Sequence, residues 1–293
     1  MRPILEYGLH DWLRLRPLIH AQKTLRYRAV DRNYRRKPAR HGDGRSILPL
    51  IRGRKVLVTI AYGDPQVISW QAPLVRHHVP HALHIIADNS PDEGSSQAIA
   101  QIAGRQGIPY VRLPDNSWHE GSRSHGLALN WVWYNLMCPG EPEAVGFLDH
   151  DLFPTAADDP FAPLATQDFF GAVRSAGPRW YLWAGFCMFR FDRMRNRLLD
   201  FSQDWFNQLD TGGANWRVLY RHADRQQLQE SIFVAIPYAS GTATNEHPPH
   251  WYGTWLHEVG SLNHSEWQME KRQFVTQLLV PHLRRAGFTE SEP

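Results

Sequence analysis

Lys55-Val56-Leu57-Val58-Thr59-Ile60-Ala61, followed by Tyr62-Gly63-Asp64-Pro65, is the stretch from which the fold can be read. A short β-branched run without polar alternation has the signature of a strand buried on both faces. Asp64-Pro65 then offers an N-cap and a proline at the first helical position, and the pattern predicts a helix to about residue 78. The same rhythm recurs outward from there. A strand is expected over 82–87, then the turn cluster Asp88-Asn89-Ser90-Pro91-Asp92, then a helix over 95–106 closed by Gly107. A third strand over 108–113, a polar loop, a helix over 122–137 and a fourth strand over 144–148 follow. Strands alternating with helices of about 10–15 residues predict βαβ units on a mostly parallel sheet. Beyond residue 150 the pattern loosens. Strands are expected over 169–174 and 183–191, around Gly177-Pro178, with helices over 212–222 and 265–285 and a turn-rich loop over 241–249. The expectation is an α/β protein with one domain over 55–240. Residues 1–54 would form a basic N-terminal arm, and residues 241–293 a loop and C-terminal helical extension that completes the site.

The chain of 293 residues is 42% hydrophobic, 21% charged and 12% aromatic, a composition that excludes disorder. It holds no run of about 18 apolar residues, which a membrane span would need. Its opening residues, Met1 to Glu6, lack the apolar core of a secretory signal, so a cytoplasmic location is expected. Cys138 and Cys187 make no disulfide framework and have no zinc-type neighbours. The net charge of +3 hides an asymmetry: residues 1–55 hold 15 Lys/Arg against 4 Asp/Glu, a net +11, which leaves −8 for the rest. The densest part runs Arg26-Tyr27-Arg28 and Arg32-Asn33-Tyr34-Arg35-Arg36-Lys37. Two readings compete. The arm binds anionic lipid, each basic residue adding about 1 kcal/mol, and holds the protein to the inner face of a membrane. Alternatively it folds back on the acidic body. Nonspecific nucleic-acid binding is disfavoured, because the positive charge is confined to one terminal segment.

In an open α/β sheet, ligands bind outside the carboxyl ends of the strands. Acidic residues recur there: Asp64, Asp88, Asp115, and Asp149 with Asp151. Carboxylates gathered at one edge repel unless a cation or donors offset them, and a hard divalent ion is the simplest answer. The chain lacks G-x-G-x-x-G, G-x-x-x-x-G-K-[ST] and G-x-S-x-G, which removes dinucleotide, P-loop and α/β-hydrolase sites. The sharpest motif is Phe147-Leu148-Asp149-His150-Asp151. Residues i and i+2 of an extended chain share a face, so one carboxylate can hold a divalent ion bridging diphosphate oxygens. The other can reach a ribose hydroxyl or a metal-bound water.

Four segments in this order and spacing resemble a GT-A glycosyltransferase domain, over about residues 55–225. They are the run from Lys55 to Gly63, the stretch Asp88-Asn89-Ser90-Pro91-Asp92-Glu93-Gly94-Ser95, residues 121–130, and Phe147 to Asp151. The second is similar to the Asp-x-x-Ser-x-Asp-(x)-Ser stretch of family-2 glycosyltransferases. The third, which ends Ala128-Leu129-Asn130, is similar to their donor-site helix start. The resemblance implies a metal-dependent enzyme, using Mn²⁺ or Mg²⁺, that moves a sugar from a nucleotide-diphosphate sugar to an acceptor hydroxyl. The acceptor would be a glycan, a lipid-linked molecule or a small molecule. Donor contacts are implied for Ala61, Tyr62, Asp88, Ser90, Arg123, Asn130 and Asp149, and a metal ligand for Asp151. Trp183-Ala184-Gly185-Phe186-Cys187 resembles the acceptor-side segment. Asp210 falls where the family's Glu-Asp pair supplies a base, with Leu209 in place of the glutamate, and inversion is favoured over retention. Gly212 and Gly213 would let an acceptor approach the backbone.

The tail carries His247, His250, His257 and His264. The resemblance implies a late histidine as a further metal ligand, and His257 and His264 are the candidates. Of the twelve tryptophans, Trp131 and Trp133 are expected in the core. Trp118, Trp180, Trp183 and Trp251 are candidates to stack on sugar rings. Two other readings remain. One is a sugar-phosphate nucleotidyltransferase, which would carry a glycine-rich basic signature after the first strand. The other is a non-catalytic carbohydrate- or nucleic-acid-binding protein on a degenerate transferase fold, against which Asp149, Asp151 and Asp210 argue.

Overall fold

The computed structural model describes residues 4–41, 44–116, 121–237, 248–260 and 266–288. The strands are β1 (Lys55–Ala61), β2 (Leu83–Asp88), β3 (Tyr110–Arg112), β4 (Ala144–Asp149), β5 (Leu152–Pro154), β6 (Phe169–Ala176), β7 (Arg179–Arg190), β8 (Phe233–Ala235), β9 (His250–Tyr252) and β10 (Trp255–His257). The helices are α1 (Leu9–Leu13), α2 (Arg16–Arg36), α3 (Gly44–Ile51), α4 (Pro65–His78), α5 (Glu93–Gln106), α6 (Gly121–Val132), α7 (Cys138–Gly140), α8 (Phe191–Met194) and α9 (Glu266–Arg285). The main sheet has the order β3-β2-β1-β4-β7-β6. Its first four strands are parallel, and β7 runs antiparallel to both β4 and β6. The fold is therefore mixed α/β, with a largely parallel central sheet flanked by helices. Burial explains the apolar runs: every residue of β2, and all of β1 after Lys55, is buried.

Local signals set the helix ends. Asp64 accepts from the amides of Gln66 and Val67, with Pro65 opening α4. Asp92 caps α5, and Gly107 ends it in the left-handed region at φ +64°. The helix expected over 122–137 is α6 followed by a π-turn, Trp133–Met137, and Trp131 and Trp133 are buried in the core. The helix expected over 212–222 is instead two short 3₁₀ turns, Gly213–Trp216 and Tyr220–His222. Adjacent glycines, with Gly212 at φ +92°, interrupt any α-helix at that point.

One feature was not anticipated: an antiparallel sheet, β5-β10-β9-β8, stands beside the main one. The basic segment folds back on the body, the second of its two readings, and is not a separate arm. Tyr34, Ile47 and Ile51 belong to the main hydrophobic core, so one core crosses the boundary expected after residue 54. Helix α2 lies on α6, where Arg123 Nη2 donates to Tyr27 Oη at 2.6 Å and Asn130 Nδ2 to Asp31 Oδ1 at 2.9 Å. Ion pairs of Arg40 with Asp115 and of Arg179 with Glu6 tie the segment further to the body.

Candidate metal centre and its cavity

Asp149 ends the central strand β4, and Asp151 lies in the turn that leads into β5. Strand β10 pairs with β5 so that His257 sits opposite Leu152, one residue beyond Asp151. The second sheet thus brings a histidine from far along the chain onto the Asp-His-Asp turn. Ligand atoms of Asp149, Asp151 and His257 all lie within 4.8 Å of one another, the one such group among the described residues. His257 Nε2 stands 3.3 Å from Asp151 Oδ1, and both side chains are buried. The carboxylates meet through a turn at His150-Asp151, not along an extended strand as the spacing predicted. Burial, and then the neighbouring Asp151, push the Asp149 carboxyl up to about 7. Two carboxylate oxygens and an imidazole nitrogen, destabilised together without a cation, are a donor set that fits a divalent ion.

The turn is held from behind by buried polar groups. Gln71 Nε2 donates to the carbonyls of Asp149 and Leu152 at 2.7 and 2.8 Å. Its Oε1 accepts from Thr59 Oγ1 at 2.6 Å, and that hydroxyl also meets His84 Nε2 at 2.9 Å. Having given its one proton to Gln71, the hydroxyl must accept from His84. Burial pushes His84 down to about 4, which agrees with a neutral ring. In front, the amide of Glu258 donates to the Asp151 carbonyl at 3.0 Å and the amide of Tyr62 to His150 Nδ1 at 3.2 Å. Arg272 on α9 joins Asp64 and Glu258, which fastens the C-terminal helix to this edge.

The cluster opens into a cavity of about 500 Å³ lined by Tyr62, Asn89, His125, Arg174, Tyr181, Trp183, Asp210 and His250, among others. Trp183 stacks on Tyr252 with ring centroids 5.7 Å apart and tilts over His257 at 4.8 Å. Gly185 makes that possible: a Cβ there would sit 2.2 Å from the Trp183 ring and 2.6 Å from Asp149 Oδ2. Arg174 donates to Tyr252 Oη at 2.7 Å and lies over Trp183, so a cation faces the cavity. His125 Nε2 is 3.6 Å from Asp149 Oδ1, and burial pushes its ring down to about 4. Asp210 is exposed on the cavity wall, its Oδ1 3.4 Å from Gln203 Nε2.

Of the residues singled out from sequence, Tyr62, Asp149, Asp151, Trp183, Asp210 and His257 line one cavity. Ser90 lines a small adjoining cleft that shares Tyr62 and Asn89 with it. Others point elsewhere. Ala61 is buried inside the sheet, its carbonyl accepting from the Asn89 amide. Asp88 is fully buried and accepts from the Ser90 amide at 2.8 Å and from Tyr110 Oη at 2.7 Å, so it shapes the loop after β2. Arg123 turns to Tyr27 on α2. Asn130 binds Asp31, Asp200 and the Phe201 amide, away from the cavity. Gly212 and Gly213 serve the protein's own packing, since Cβ atoms there would meet Leu182 O at 2.8 Å and Leu209 Cβ at 2.3 Å. The expected gathering of acids at the sheet edge is limited to Asp149 and Asp151. Asp64 caps α4 and pairs with Arg272, and Asp115 pairs with Arg40. Trp180 is a core residue, whereas His264 and Trp118 lie outside the described residues. Sequence reasoning missed Gln71, His125, Arg174 and Tyr181. A charge inside the apolar β6 run was the available signal for Arg174.

No family model matches the chain, and no curated protein matches its sequence. Among solved structures it is similar to the mannosyltransferase PcManGT from Pyrobaculum calidifontis in complex with GDP-Man and Mn²⁺, with 16% identity and a TM-score of 0.38 over 60% of this chain and 55% of that one. It is also similar to S. aureus TarS, with 15% identity and a TM-score of 0.31 over 43% of this chain and 22% of that one. A third is the galactosyltransferase LgtC in complex with donor and acceptor sugar analogues, with 15% identity and a TM-score of 0.32 over 48% of this chain and 59% of that one. In each case the match spans less than two thirds of the other protein.

Proposed function

We propose that the chain is a divalent-metal-dependent glycosyltransferase that moves a sugar from a nucleotide-diphosphate sugar to an acceptor hydroxyl. The observation that carries this reading is the Asp149, Asp151 and His257 group in the wall of a cavity of about 500 Å³. The sequence resemblance to family-2 glycosyltransferases supplies the donor class. Asp149, Asp151 and His257 would hold Mn²⁺ or Mg²⁺, which when bound neutralises the leaving diphosphate. Arg174 adds positive charge on the same side, fixed by its bond to Tyr252. Tyr62, Asn89 and Ser90 border the cleft that leads away from the cluster, a place for the nucleoside. The flat face of Trp183 gives a sugar ring an apolar wall. Asp210, exposed across the cavity, takes the acceptor's proton in an inverting transfer. No helix among the described residues is long and apolar enough to cross a membrane. The test is a donor panel with Mn²⁺ or Mg²⁺, read by nucleoside-diphosphate release and thermal shift. Asp151→Asn should abolish release and the metal-dependent shift while the protein stays folded. Full turnover in that variant, or in excess EDTA, would remove the proposal.

A further inference from the structure

The inner face of the N-terminal layer is filled by Tyr7, Pro17 and Tyr34, which are buried. Its outer face is apolar in a way the body does not need. Leu5 is 98% exposed, Leu9 78%, Leu13 75%, Leu25 67% and Leu18 60%, with Trp12 and Ile19 also exposed. Leu9 and Leu13 are one turn apart on α1, and Leu18 and Leu25 two turns apart on α2, so each pair projects from one side of its helix. Five such leucines with Trp12 and Ile19, all exposed between Leu5 and Leu25, are apolar surface of the kind that marks an interaction site.

Charge decides which partner. Arg14, Arg28, Arg32 and Arg36 are exposed on the same layer. The described acids of this stretch are already engaged: Glu6 with Arg179, Asp11 with Arg16 and Asp31 with Arg35. A second copy of the chain, docking isologously, would bring two basic faces together. A nucleic acid would use the arginines but not the leucines. Apolar residues on one side with arginines alongside suit a surface that is anionic outside and hydrocarbon beneath.

We propose that residues 4–36 dock the protein on an anionic lipid bilayer, leucines at the acyl boundary and arginines on the lipid phosphates. The docked layer lies beside the cavity, because Arg123, bonded to Tyr27 of α2, sits on the helix whose Gly121 and His125 line it. A lipid-borne acceptor would be presented on that side.

The full chain is sedimented with phosphatidylcholine vesicles, with and without phosphatidylglycerol. Wild type should bind the phosphatidylglycerol vesicles. The variant Leu5→Ser/Leu9→Ser/Leu13→Ser should lose about 100-fold in partitioning with an unchanged melting temperature, since these side chains make little contact with the body. The variant Arg28→Glu/Arg32→Glu/Arg36→Glu should lose a similar factor at low salt, and the gap to wild type should narrow at high salt. Absence of wild-type binding to phosphatidylglycerol vesicles overturns the proposal, as does unaltered binding by the leucine variant. A wild-type dimer that the leucine substitutions dissociate, with no vesicle binding, would assign the face to a second copy instead.

Discussion

Replacing Gln71 by leucine keeps a fully buried side chain of similar volume but removes both donors from the carbonyls of Asp149 and Leu152. It also takes the acceptor from the Thr59 hydroxyl. A buried carbonyl left unsatisfied costs about 1–3 kcal/mol, so the pair predicts a loss of about 2–6 kcal/mol. For a domain of this size that lowers the melting temperature by roughly 5–20 °C. The effect on the site is separate. The two carbonyls bracket the His150-Asp151 turn, so without their donors the carboxylates are free to drift from His257. Outer-shell partners of this kind are typically worth 10–100-fold in metal affinity, roughly the loss expected for Mn²⁺ here.

Thr59→Val is the control that separates stability from positioning. It unpairs Gln71 Oε1 and His84 Nε2 but leaves both Gln71 donors in place. It should therefore cost stability of the same kind, about 2–6 kcal/mol, with Mn²⁺ affinity nearly unchanged. Calorimetric Mn²⁺ titration below both melting temperatures, alongside thermal melts, reads the two quantities independently. If Gln71→Leu melts lower yet binds Mn²⁺ as wild type does, Gln71 does not position the cluster. Equal weakening of Mn²⁺ binding by both variants would also refute the reasoning.

Gly185→Ala should displace the Trp183 ring and Asp149, because its Cβ would overlap both, and should weaken Mn²⁺ binding at least as much as Gln71→Leu; unaltered binding and tryptophan fluorescence would contradict this. Asp210→Asn should lower kcat by about 10²–10⁴-fold with donor affinity nearly intact, as removal of a general base does. Unchanged turnover, or a product with retained anomeric configuration, would count against the inverting assignment. Burial pushes His84 down to about 4, below its ordinary unfolded value, so the unfolded chain binds the proton more tightly. The His84 share of stability is then complete above about pH 6.5 and falls as pH drops toward 4, by up to about 3 kcal/mol. Urea melts across that range should show the slope, and His84→Gln should reduce it without abolishing it, since buried His125 is pushed down in the same direction.

The central half of the fold was legible because its signals are local. Buried parallel strands such as β1 and β2 are continuous apolar runs, and Asp64-Pro65 and Gly107 mark helix ends within a residue or two. The second sheet had no such signature. Its strands are three residues long, too short to display alternation, and β5 finds β10 about a hundred residues later. Helix α2 was hidden for another reason. It buries only Pro17 and Tyr34 and is held largely by polar contacts, so no apolar stripe announces it.

The site divides along the same line. Asp149 and Asp151 could be found because both sit where a readable strand ends. Nothing local distinguishes His257 from the histidines around it, and only the register of β10 on β5 places it beside Asp151. Arg123 and Asn130 show the opposite failure. A motif fixes the course of a backbone, but a side chain turns to whichever partners surround it. At Asn130 those partners are the Asp31 and Asp200 carboxylates and the Phe201 amide, all three from outside the motif's segment and one of them, Asp31, from the N-terminal layer. A buried amide with three such bonds has no reason to face a ligand, since leaving any of them would strand a buried polar group. The layer that the sequence presented as a basic arm therefore supplies a partner to each of these two residues, Tyr27 to Arg123 and Asp31 to Asn130, and helps hold both away from the cavity.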